Sequence, residues 1–125
     1  MSDFNFDFSF VKGGSPVVTL SAIGLAFNAG ARSMLEYPDK VDIGYDEKAN
    51  VIGVRTHDES SNAPCYDFES RVKDNWIRIS MRDFMKYLSQ RTGIDFLSKA
   101  IQFIPEMDDK SGMLIVIVDE EHAKK

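Results

Sequence analysis

Two stretches of this 125-residue chain occur twice, and that recurrence constrains its fold more than any other feature. Val17-Val18-Thr19-Leu20-Ser21 is answered 59 residues later by Trp76-Ile77-Arg78-Ile79-Ser80. Val41 to Val54 is answered 62 residues later by Phe103 to Val116, with Asp46-Glu47-Lys48-Ala49-Asn50-Val51-Ile52 over Asp108-Asp109-Lys110-Ser111-Gly112-Met113-Leu114. A repeat of this size suggests one supersecondary unit used twice, each copy burying what the other cannot bury alone. The expected fold is α+β and β-rich, with two related strand–helix–β-hairpin units at about 16–57 and about 75–119. Together they form one compact domain over 1–125, and 120–125 is expected to be a frayed, charged tail.

Apolar residues make up 43% of the chain, enough for a core and too many for a disordered protein. The longest apolar run, Met113 to Val118, is far too short to span a bilayer. The opening Met1-Ser2-Asp3-Phe4 lacks the basic-then-apolar layout of a signal peptide, and Cys65 is the single cysteine. These features predict a cytoplasmic protein with no membrane partner. The net charge of −5 argues against a general nucleic-acid binder, but its distribution is uneven. From Arg71 to Arg91 there are six positive residues (Arg71, Lys73, Arg78, Arg82, Lys86, Arg91) and two negative ones (Asp74, Asp83), a net of +4. The remaining 9 positive and 18 negative residues give −9.

Periodicity supplies the elements. Phe4, Phe6, Phe8 and Phe10 alternate with polar residues, as in a half-buried strand, and Gly13 to Pro16 turns the chain into a strand at Val17 to Ser21. Asn28 is the expected N-cap of a short helix ending near Tyr37-Pro38. Lys40 to Tyr45 and Val51 to Thr56 should form a hairpin, and Tyr66 to Val72 with Trp76 to Ile79 a second one turned at Lys73-Asp74-Asn75. Ser80 opens the clearest helix: Met81, Phe84, Met85 and Leu88 form one apolar stripe, Asp83 suggests a capping box, and Gly93 is a stop. Ile94 to Ala100 shows no clear pattern, and Ile101 to Met107 with Met113 to Asp119 should close the chain as a hairpin.

The first copy carries Gly24-Leu25-Ala26-Phe27-Asn28-Ala29-Gly30-Ala31-Arg32, then Ser33-Met34-Leu35, Asp39-Lys40-Val41-Asp42-Ile43 and the stretch Asp46 to Val54. In this order it resembles the AbrB/SpoVT-type transition-state regulators, a family of swapped-hairpin proteins, over residues 17–56. The resemblance implies a dimer or an internal duplication, and DNA contact through basic residues. The pattern departs where Leu25 stands for an arginine and Pro38 for a glycine, and Arg32 is the one clear basic counterpart.

Candidate contacts follow from charge. Arg82, Lys86 and Gln90 recur every four residues opposite the apolar stripe, with Lys73, Trp76 and Arg78 just before them and Arg91 after. Lysine and arginine at such spacing suit phosphates, and Trp76 suits a stacked base. The nucleic-acid-binding set is therefore Arg32, Lys73, Trp76, Arg78, Arg82, Lys86 and Arg91. His57, Asp58, Glu59 and Cys65 share one loop but match no standard metal spacing, and no third group is evident to orient a Cys65–His57 nucleophile pair. Lys12-Gly13-Gly14-Ser15 lacks the spacing of a phosphate loop. The expectation is a non-enzymatic binding protein, a homodimer and an AbrB-like DNA-binding regulator, with no catalytic residue, metal, cofactor or small-molecule substrate. The alternative is a protein–protein interaction or structural module without nucleic acid.

Overall fold

The computed structural model describes residues 15–60, 62, 64–119 and 121–123. The strand expected at Phe4 to Phe10, and Gly13-Gly14 of the turn after it, lie outside the described residues. The fold is strand-rich and α+β, with two antiparallel sheets and two α-helices among the described residues.

Sheet A has the order β6-β2-β1-β7, formed by β1 (Val18–Leu20), β2 (Gly24–Phe27), β6 (Ile77–Ser80) and β7 (Ile101–Phe103). Its register sets two rows toward the core, Ile77–Phe27–Val18–Phe103 and Ile79–Leu25–Leu20–Ile101, and one row outward, Arg78–Ala26–Thr19–Gln102. Sheet B has the order β5-β3-β4-β9-β8, formed by β3 (Lys40–Asp46), β4 (Val51–Thr56), β5 (Tyr66–Asp67), β8 (Glu106–Asp108) and β9 (Met113–Ile117). Val41, Ile52, Val54, Leu114 and Val116 are its fully buried inward residues. A single cluster of buried side chains joins both sheets to helices α1 (Ala29–Met34) and α2 (Arg82–Thr92). Phe27 packs edge-on against Phe68 at 5.2 Å, and Phe96 fills the space beside Phe103. Burying a side chain of this size stabilises by roughly 1.5–3 kcal/mol.

Asn28 starts α1 as its sequence position predicts. Its Oδ1 accepts from the Ala31 N–H and from the Val17 N–H, both at 2.9 Å, so one side chain caps the helix and pins the start of β1. Gly93, with φ 76°, ends α2. Met85 and Leu88 are fully buried, as the stripe requires.

Three expected elements differ. Ser80 does not cap α2: it pairs with Gly24 as the last residue of β6, and Met81 takes the cap position without a side-chain bond. The hairpin expected from Tyr66 to Ile79 is absent because β5 and β6 lie in different sheets. The buried Phe68 and a 3-10 turn at Glu69–Arg71 redirect the chain, leaving one Lys73–Trp76 bridge. The strand expected from Ile101 to Met107 splits into β7 in sheet A and β8 in sheet B across Ile104-Pro105, where proline has no N–H to continue a ladder. In the tail, Ala123 bridges to Phe103.

Two hairpins, β3–β4 and β8–β9, are joined through β4 and β9 with Gly53 opposite Ile115. Both turns close alike. The Asn50 N–H donates to the Asp46 carbonyl and the Gly112 N–H to the Asp108 carbonyl, each at 2.7 Å, and Asn50 and Gly112 are both left-handed (φ 61° and 70°). In sheet A, β1 and β6 lie on either side of β2.

Candidate functional site

Trp76, Arg78 and the segment after them build the first site. Edge strand β6 sends Ile77 and Ile79 inward, so Arg78 must point outward. Its guanidinium lies over the Trp76 ring, 5.9 Å from the centroid. The pair walls a cleft of about 260 Å³ on the outward face of sheet A. Thr19, Ser21, Gly24 and Ala26 give it a floor of small residues, and Ile23, half exposed, forms another wall. The Thr19 Oγ1 is buried there without a hydrogen-bond partner among the described residues.

Of the basic residues singled out in the sequence, Lys73, Arg78, Arg82 and Lys86 are exposed. Among the described residues no hydrogen bond or salt bridge holds their cationic heads. They run from the turn before β6 through the first turns of α2, and the Met81 N–H bonds the Ile23 carbonyl at 2.8 Å, tying the start of α2 to the cleft wall. Two predicted residues are held elsewhere. Arg32 makes a two-pronged pair with Glu69 (Nε–Oε1 3.2 Å, Nη2–Oε2 3.1 Å) and lies over Tyr37, which ties α1 to the 3-10 turn. Arg91 donates to the Glu47 carbonyl at 3.0 Å and so clamps α2 to the β3–β4 turn.

The second feature was not legible as a site in the sequence. Asp42, on β3, is buried although it points away from the core. Its Oδ1 meets His57 Nδ1 at 2.8 Å and its Oδ2 accepts from Arg55 Nε at 3.1 Å. Burial disfavours the charged carboxyl, but the hydrogen bonds from His57 and Arg55 outweigh it and hold Asp42 below the usual carboxylate range. His57, expected in a solvated loop, is instead 9% exposed. Its backbone N–H extends the β3–β4 ladder to the Lys40 carbonyl, so it continues the strand and reaches Asp42 from one row away. The signal available in the sequence was the alternation of β3 and β4, which places Asp42 and Arg55 on one face; their pairing depends on the hairpin register. The cluster heads a groove of about 1000 Å³ on the outward face of sheet B. Cys65 is exposed, and no group of three or more His, Cys, Asp or Glu side chains arranged to hold a metal occurs among the described residues. Among them, no helix is long and apolar enough to cross a membrane.

Comparison with protein-family models, with curated proteins and with solved structures finds no match to this chain.

Proposed function

We propose that this is a non-enzymatic protein that binds single-stranded nucleic acid through the β6–α2 segment. The observation that carries the reading is the Arg78-stacked Trp76 at the mouth of a small-floored cleft, within the one net-basic stretch of the chain. The cleft has room for one flat ring, and stacking on an aromatic face tolerates any base. A base reaches it only when free of its partner, which favours a single strand over a duplex. Lys73, Arg82 and Lys86 are free to meet phosphates on either side. The acidic remainder repels the backbone elsewhere and confines contact to this segment.

The test is a salt titration of a labelled 15-nucleotide oligothymidylate, read by anisotropy and by the fluorescence of Trp76, the only tryptophan. Three phosphate contacts on a single strand predict an affinity about 20-fold weaker at 200 mM salt than at 50 mM. Trp76 emission should be quenched on binding, and Trp76→Ala should lose roughly 1–3 kcal/mol of affinity. No retention of the oligonucleotide even at low salt would sink the reading.

A further inference from the structure

Gly44 and Gly53 face each other across β3 and β4 in the middle of a sheet, where glycine weakens a strand and brings nothing to its packing. The fold does not require them. Neither has a positive φ, and the register runs through them without a bulge. Among the described residues, a Cβ built on Gly44 meets nothing within 4 Å, and one on Gly53 meets only the end of the flexible Met113 side chain, its sulfur at 3.4 Å. Paired interior strand glycines with no bulge and no crowding point to the remaining cause, the close approach of something outside the sheet.

Their surroundings indicate what approaches. The pair is the floor of the groove headed by Asp42. Apolar Val51, Met113 and Ile115 line one side, with Ile115 next to Gly53 in the same cross-strand row. The charges on its walls and rim are mainly acidic: Asp46, Glu47 and Asp108 against Lys48, while Arg55 and Asp42 neutralise each other. We propose that this strip is a docking bed for an extended peptide segment of a partner protein with apolar and basic side chains. The peptide backbone lies over Gly44 and Gly53, its apolar side chains rest on Val51, Met113 and Ile115, and its basic side chains reach the acidic rim. The site is on the other sheet from the Trp76 cleft and stands independently of nucleic-acid binding.

The experiment uses the full chain and a fluorescein-labelled octapeptide of alternating lysine and valine, with a glutamate–valine octapeptide as control. Anisotropy should show saturable binding of the lysine peptide and none of the control. Gly44→Val should weaken that binding by about tenfold or more. Because valine suits a strand and its Cβ meets none of the described residues, the same variant should melt at an equal or higher temperature, by up to about 3 °C. Asp46→Asn with Asp108→Asn should weaken binding with the fold intact. The proposal is overturned if Gly44→Val lowers the melting temperature, since the fold would then need the glycine. It is equally overturned if the peptide binds both proteins alike, or neither at about 1 mM. A wild-type dimer that Gly44→Val dissociates would assign the face to a second copy instead.

Discussion

Gly24 and Gly44 are both strand glycines, and opposite constraints act on them. At Gly24, with φ 154°, a Cβ would stand 2.1 Å from the Ile79 carbonyl oxygen and 2.7 Å from the Met81 nitrogen, both backbone atoms of the adjoining strand and helix start. Neither can move aside without breaking the β2–β6 pairing. Gly24→Ala should therefore destabilise by more than about 3 kcal/mol in a urea melt, through overpacking and backbone strain together. A loss under about 1 kcal/mol would mean that β6 relaxes away and that the close approach is not essential. In the sequence both glycines are simply interruptions of an apolar pattern, and Gly24 reads as the break after β1. Only the register shows that it opens β2 against β6, and only the fold shows that no described residue crowds Gly44. Asp42 and His57 were illegible for the same reason: fifteen residues apart, they meet because a four-residue turn sets which rows of β3 and β4 coincide.

Helix α2 shows what local pattern does specify. Its apolar stripe, its glycine stop and its length follow from residues within a few turns of one another, so the sequence carries them. Its docking does not. Tyr45 sits edge-on to Phe84 at 5.5 Å and to Tyr87 at 6.2 Å, and the Tyr87 hydroxyl donates to Glu47 at 2.7 Å. These contacts fasten α2 to the β3–β4 hairpin some forty residues earlier. Leu88→Ala should cost roughly 2–5 kcal/mol in a denaturant melt, because the side chain is fully buried within the single core cluster. A cost well below 1 kcal/mol would mean that α2 is not packed on the core. The two hairpins were legible for a similar reason, since an aspartate at the turn start and a left-handed residue four positions on are local signals. The division of Ile101 to Met107 between sheets was not, because an apolar run records burial and not which sheet buries it.

At the scale of the molecule, one core is shared by two sheets whose outward faces differ in charge. Sheet A turns Arg78 outward beside the basic start of α2, and sheet B turns out Asp46 and Asp108 around a bare glycine strip. A chain of net charge −5 with one basic segment favours a negative partner only where that segment is exposed, and a positive one across the other face. The two surfaces share no residue, so substitutions on them should act independently. Arg82→Glu with Lys86→Glu should abolish retention of the oligonucleotide and leave the affinity for the lysine–valine peptide within about twofold, whereas Gly44→Val should do the reverse. Both variants should keep the wild-type circular dichroism spectrum, since Arg82 and Lys86 are exposed and a Cβ on Gly44 meets none of the described residues. Loss of both activities in either variant would show that the sheets do not act separately, and that one ligand spans the molecule or one face controls the other through the shared core.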